Sequence, residues 1–253
     1  MLLKISTIFL IFSTVFTTVN GQYAYAADVM GAVSLSQFSC IKTNGYSAVF
    51  TQIYSASNGG AVDTNGCQSV INAYQAGLGT EVYINPAPQS SKQSYTQFDE
   101  ALQQLKNANI NVRTIWLKVT NPALWYQNPT YNVNFIQGMI TRARSNGITL
   151  GIYTNWYDWY EITASSTSFT SYNLPLWYWN ANGFGSSGES TANFNDFRSF
   201  GGWSSVSAKE YALNESCCSA IISKVVYSTT ASTTLIDKVI KNMSTPMAGS
   251  AIL

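Results

Sequence analysis

Carboxylates, lysines, tyrosines and cysteines are the side chains of this chain that could do chemistry, because its 253 residues include no histidine. Without an imidazole there is no Ser-His-Asp or Cys-His nucleophile and no histidine-ligated zinc. The most informative run is Ile115-Trp116-Leu117-Lys118-Val119-Thr120. Its apolar Ile115, Leu117 and Val119 alternate with Trp116, Lys118 and Thr120, the period-two pattern of a buried strand. Lys118 and Thr120 then share one face, roughly 6–7 Å apart between Cα atoms. Two acids at that spacing would suit glycosidic cleavage, one protonating the leaving oxygen and one stabilising the cationic sugar. A lysine repels that cation, and a threonine has no carboxyl proton to give near neutral pH. Lys118 suits hydrogen bonding to sugar hydroxyls, pairing with Asp28 or Glu81, or snorkelling at a strand end.

The remaining acids are few. Asp28 and Glu81 fall on separate strands that could converge at one barrel end, and Glu81 shares a strand face with Tyr83. Asp158 and Glu161 read as charges at the start of a solvated helix. Asp99 and Glu100 read as helix-surface charges, and Asp196 as a cap near Gly201-Gly202. Aromatic residues reach 14% while charged residues make up 10% and nearly cancel to +1. That balance excludes a basic nucleic-acid footprint and leaves rings available to line a cleft. Tyr54, Tyr83, Trp116, Tyr153, Trp177 and Trp179, with Asn155, form the candidate substrate-binding set. Pyranose C–H faces stack on such rings while hydroxyls reach polar rims. Each ring could equally serve as core filler.

The elements that would position these residues alternate along the chain. Strands are expected at 28–33, 47–54, 80–85, 112–119, 149–153 and 175–180. Helical spacing appears at 35–43, 66–76, 94–107, 133–146 and 157–162, with Asp63 or Thr64 as a cap of the second helix. This cadence predicts a parallel sheet with right-handed crossovers. After Asn180 a Gly/Ser-rich stretch breaks the rhythm, and 195–200, 209–213 and 225–227 read as strands without helices between them. The expected fold is therefore α/β, a TIM-like barrel of modified type, begun by βα units and closed by strands.

The amino end carries Lys4 and then an apolar run from Ile5 to Phe16. With Val19 and Gly21 before Gln22, residues 1–21 read as a secretory signal peptide. The expected barrel occupies 22–227, and 228–253 reads as a Ser/Thr-rich tail, disordered or one docked helix. Secretion into an oxidising compartment makes Cys40, Cys67, Cys217 and Cys218 disulfide candidates. Adjacent cysteines rarely bridge each other, so Cys217 and Cys218 are expected to reach separately to Cys40 and Cys67, in either pairing. Asn214 and Asn242 open glycosylation sequons. No metal, cofactor or membrane span is expected, and the chain is expected to be a monomer.

Further motifs follow in order: Asp28, Ser39-Cys40…Gly45-Tyr46, Tyr54, Glu81-Val82-Tyr83 and Gly151-Ile152-Tyr153-Thr154-Asn155. Pro175-Leu176-Trp177-Tyr178 and Asp196-Phe197…Phe200-Gly201-Gly202-Trp203-Ser204 complete the series. Together they resemble glycoside hydrolase family 25, in the branch of protist-type lysozymes, over about 23–227. The resemblance implies a barrel that cleaves between N-acetylmuramic acid and N-acetylglucosamine in peptidoglycan, with acids at its mouth. It implies that Asp28 keeps the first-strand acid. It also implies that Lys118 and Thr120 replace a fourth-strand carboxylate pair, and that Ser223 replaces a late acid. The resulting expectation is a secreted lysozyme-like protein of antibacterial defence that binds bacterial cell-wall glycan without cutting it. The alternatives are a muramidase using Asp28 with Glu81 or another acid, and an interaction protein that no longer binds sugar.

Overall fold

The computed structural model describes residues 22–229 and 245–253. Residues 1–21, expected to be a signal peptide, and Asn242 lie outside the described residues. In chain order the elements are β1 (Gln22–Val29), α1 (Leu35–Thr43), β2 (Tyr46–Ser55), β3 (Ala61–Val62), α2 (Gly66–Gln75), β4 (Gly79–Ile84), α3 (Ser94–Asn107) and β5 (Asn111–Val112). They continue with β6 (Thr114–Lys118), α4 (Pro129–Ser145), β7 (Thr149–Thr154), α5 (Trp156–Thr163), β8 (Leu176–Trp179), β9 (Ala208–Cys217), β10 (Ala220–Thr229) and β11 (Met247–Ala248).

Strands β1, β2, β4, β6, β7, β8 and β9 run parallel in that spatial order. β10 returns antiparallel between β9 and β1 and closes the ring. This is the modified TIM-like barrel expected from the cadence, with βα units first and strands alone at the end. Local sequence starts the helices. Ser34 and Gln37 form a reciprocal capping box at α1, Asn128 caps α4 ahead of Pro129, and Asn155 caps α5.

Period-two alternation sorts the strand side chains into two layers. Ile115, Leu117 and Val119 join Val82, Leu150 and Ile152 in the layer that packs against Phe98, Leu102, Ile136 and Ile140 of the helices. Their neighbours Ala26, Phe50, Tyr83, Trp116, Tyr153, Trp177 and Val225 fill the barrel interior. At Gly151 a Cβ would lie 2.3 Å from the Trp116 ring, so the absent side chain makes room for the indole.

Three elements differ from expectation. β1 starts at Gln22 and ends at Val29, because Ala24 and Ala26 alternate inward against half-exposed Tyr23 and Tyr25. The segment 195–200 is not a strand; its turns are held by side-chain bonds from β9. The described part of the tail is neither disordered nor helical. Met247–Ala248 adds a parallel strand between β4 and β5, and Ser250, Ala251 and Ile252 bury beneath the barrel at the amino ends of its parallel strands. Among the described residues, no helix is long and apolar enough to cross a membrane.

Candidate functional site

Asp28 near the carboxyl end of β1 and Lys118 at that of β6 come together with Glu210, which lies early in β9 but pairs with Trp179 at the carboxyl end of β8. Lys118 Nζ donates to Asp28 Oδ2 at 2.5 Å, with side-chain exposures of 12% and 7%. The ammonium also stands 4.1 Å from the Tyr83 ring centroid, 4.5 Å from Tyr153 and 4.9 Å from Trp177. Three ring faces and a carboxylate surround the one ammonium in a site with little water.

Glu210 is nearly fully buried, and its Oε1 accepts from the Tyr153 hydroxyl at 3.1 Å. Burial pushes its carboxyl up to about 8; the Lys118 charge opposes that rise and the Asp28 charge adds to it. Asp28 Oδ1 and Glu210 Oε2 are buried and accept no bond from a described N–H or O–H. A proton held by Glu210 and offered to Asp28 satisfies both oxygens, because two interacting carboxylates cannot both ionise cheaply. Ser223, where the resemblance puts a late acid, pairs directly with Asp28 across β1 and β10.

Thr120 is turned to a different task. Its hydroxyl donates to Asp158 Oδ2 at 2.5 Å, and Trp179 Nε1 donates to the same oxygen at 3.0 Å. Asn155 Oδ1 accepts from the Asp158 backbone N–H at 2.8 Å. These four residues knot together the ends of β6, β7 and β8. Asp158 is buried at 3% exposure, so it is not the solvated helix charge that its position suggested. Burial raises its pKa and the Thr120 and Trp179 bonds oppose the rise.

The expected partnership of Asp28 with Glu81 does not form. Glu81 is wholly buried and binds Trp116 Nε1 at 2.8 Å, Ala251 N at 2.7 Å and Ile252 N at 3.2 Å. It lies one inward position below Tyr83 on β4, so its carboxylate meets the carboxyl-terminal segment instead of the mouth. Burial raises its pKa to about 7 against the pull of those donors.

Most of the rings proposed as sugar platforms are also spoken for. Tyr54, Tyr83, Trp116, Tyr153 and Trp177 are 0%, 1%, 0%, 4% and 0% exposed. Trp177 stacks on Phe50 at 3.9 Å and meets Tyr153 edge-on at 4.6 Å, so these rings pack one another. A register shift between Gln52 and Tyr54 turns Tyr54 toward the helices, where its hydroxyl donates to Glu100 at 2.8 Å. Trp179 and Asn155 remain half-buried at the mouth.

Glu210 escaped the sequence reading, and Asp158 was assigned there to a solvated helix surface. A signal for Glu210 existed: alternation along β9 sets Glu210 opposite in face to Lys209 and Tyr211. Asp196 does not cap the glycine turn; it accepts from Lys209 Nζ at 2.8 Å and from Asn180 Nδ2. Among the cysteines, Cys40 and Cys218 form a disulfide with Cα atoms 5.8 Å apart. The second expected bridge is absent: Cys67 is a buried thiol packed near Ile53 and Val70, and Cys217 packs partly buried near Val33 and Ile222. Cys218, at φ +56°, is the one that turns toward α1. Asn214 is exposed on β9, as a glycan acceptor requires.

Known proteins resemble this chain in sequence and in fold. The family model for lysozyme-like protein 1 matches residues 19–211. Lysozyme-like protein 7 of Caenorhabditis elegans is 46% identical over 206 residues, covering 81% of this chain and 72% of that protein. A probable GH family 25 lysozyme 2 of Dictyostelium discoideum is 31% identical over 185 residues, covering 73% of this chain and 81% of that one. Among solved structures, the GH25 lysozyme of Aspergillus fumigatus superposes with a TM-score of 0.62 at 16% identity, over 86% of this chain and 98% of that one. A muramidase from Trichobolus zukalii gives 0.64 at 17%, over 87% of this chain and 100% of that one. The last two speak for the fold alone, and the sequence relatives carry the assignment: this chain belongs to the lysozyme-like proteins of glycoside hydrolase family 25.

Proposed function

We propose that this chain is a secreted lysozyme-like protein of antibacterial defence that binds bacterial wall glycan and has lost muramidase turnover. The observation that carries the reading is the Lys118–Asp28 ion pair inside its ring cage. Glycoside hydrolysis needs one carboxylate free to meet the developing sugar cation and one acid placed on the leaving oxygen. Here the Asp28 carboxylate is neutralised by an ammonium, which would itself repel the sugar cation. The Thr120 hydroxyl is committed to Asp158. Family membership supports glycan as the ligand, since its sequence relatives include proteins named GH family 25 lysozyme.

A second reading is favoured by one observation. Glu210 is buried beside Asp28, and burial pushes its carboxyl up to about 8, which is the arrangement of an acid beside a carboxylate. On that reading the chain is a muramidase using Asp28 with Glu210.

One experiment separates them: incubate the purified protein with labelled peptidoglycan, then measure co-sedimentation and released reducing ends. Co-sedimentation without release is expected. Release that disappears in both Asp28→Asn and Glu210→Gln would establish the muramidase reading instead. Neither binding nor release would leave a protein that acts on a partner other than sugar.

A further inference from the structure

Glycan recognition, if it follows the reading above, needs rings that a sugar can reach, and the barrel interior offers none. Tyr83, Trp116, Tyr153 and Trp177 are consumed by packing and by the Lys118 cage. Beside the mouth, α5 presents the opposite situation. Its Asp158, Trp159, Ile162 and Thr163 are buried, while Trp156, Tyr157 and Tyr160 are 60%, 51% and 55% exposed. Trp156 and Tyr160 are four residues apart and share a helix face. Trp156 meets Tyr157 edge-on at 5.9 Å.

A solvated helix face is ordinarily charged. This one carries three aromatic rings and, besides them, the exposed Glu161. Exposed apolar surface of that kind marks a binding site more often than chance. The patch is also continuous with the candidate site, because Asn155 caps α5 directly after the end of β7. Near-neutral aromatic rims fit a ligand that is itself neutral, ring-shaped and hydroxylated.

We infer that the α5 face formed by Trp156, Tyr157 and Tyr160 is the glycan-binding surface, taking a β-1,4-linked N-acetylhexosamine chain by stacking pyranose faces on the rings. Recognition has moved from the barrel floor to its rim, while the floor is closed by Lys118. The surface rests on the glycan-binding reading, and the test keeps the two apart.

Wild-type protein, Trp156→Ala with Tyr160→Ala, Trp156→Phe, and Tyr25→Ala are sedimented with insoluble peptidoglycan and titrated with an N-acetylglucosamine tetramer. Tyr25 is an exposed ring toward the barrel base, 40% accessible, and serves as the control. The double variant is expected to bind about tenfold or more weakly with unchanged thermal unfolding, the loss typical of central aromatic contacts. Trp156→Phe, which keeps a ring, should retain most binding, and Tyr25→Ala all of it. Wild-type affinity in the double variant would overturn the surface and leave glycan binding intact. A wild-type protein that binds neither ligand would overturn the glycan reading itself, and this surface with it.

Discussion

Glu210 has no cation of its own, since Lys118 is bound to Asp28, and so burial decides its protonation. A carboxyl whose folded pKa is raised binds more protons in the folded state than in the unfolded state. Folding stability therefore falls as pH rises from the unfolded value, near 4.3, to the folded one. Glu210 contributes this fall up to about pH 8, and Glu81 contributes a parallel one up to about pH 7. Each costs up to about 1.4 kcal/mol per pH unit within its window. Denaturant midpoints should decline from pH 5 to 8 and then level. In Glu210→Gln the decline should stop near pH 7, and an unchanged slope between pH 7 and 8 would contradict the assignment. The sequence offered Asp28 or Glu81 as the partner of Lys118, and the fold brings Asp28 to it. The sequence did not expose Glu210, since the chain around β9 lacks the βα rhythm that fixes a register. It misjudged Glu81 because the segment that binds it lies 170 residues further on.

The segment between β8 and β9 depends on one buried lysine. Lys209 is fully buried, and its Nζ donates to Thr191 O at 2.7 Å, Asn193 O at 3.2 Å and Asp196 Oδ2 at 2.8 Å. All three ammonium protons thus find acceptors, which is what makes the burial tolerable. The acceptors all lie in the 191–196 stretch, so β9 itself holds that loop in place. Lys209→Met would leave the Thr191 and Asn193 carbonyls without this donor and the Asp196 carboxylate with Asn180 but no cation, at a cost of about 3 kcal/mol. The expected result is new proteolytic cleavage within 183–200 while the barrel persists, read by limited proteolysis and mass spectrometry. Cleavage no faster than in the wild type would show that the loop is held by other contacts. The helices and parallel strands were legible because their periods, caps and glycines agree. This loop was misread as partly strand because its aromatic residues, Phe194, Phe197 and Phe200, imitate a strand's composition without its pairing.

Two long-range ties close the molecule as a whole. The Cys40–Cys218 disulfide joins α1 to the β9–β10 hairpin across a sequence separation of 178. The carboxyl-terminal residues plug the base of the barrel on which the mouth is built. There, Ala251 and Ile252 lie in the interior cluster with Trp116 and Phe50, and their backbone N–H groups satisfy Glu81. Gly249 makes the approach possible. At φ +78° a Cβ would stand 2.2 Å from Thr114 backbone atoms, a distance no side chain can occupy. Removing residues 245–253 would strip Glu81 of two donors and expose the underside of Trp116. Each unsatisfied bond to a buried carboxyl costs about 1–3 kcal/mol, before the lost apolar burial is added. The truncated protein should melt well below the wild type and bind a hydrophobic dye, and Gly249→Val should do the same in the full-length chain. The two changes act through one docking event, so combining Gly249→Val with Glu81→Gln should cost less than the sum of the single effects. Strict additivity in that cycle would mean that the segment and Glu81 stabilise the barrel independently.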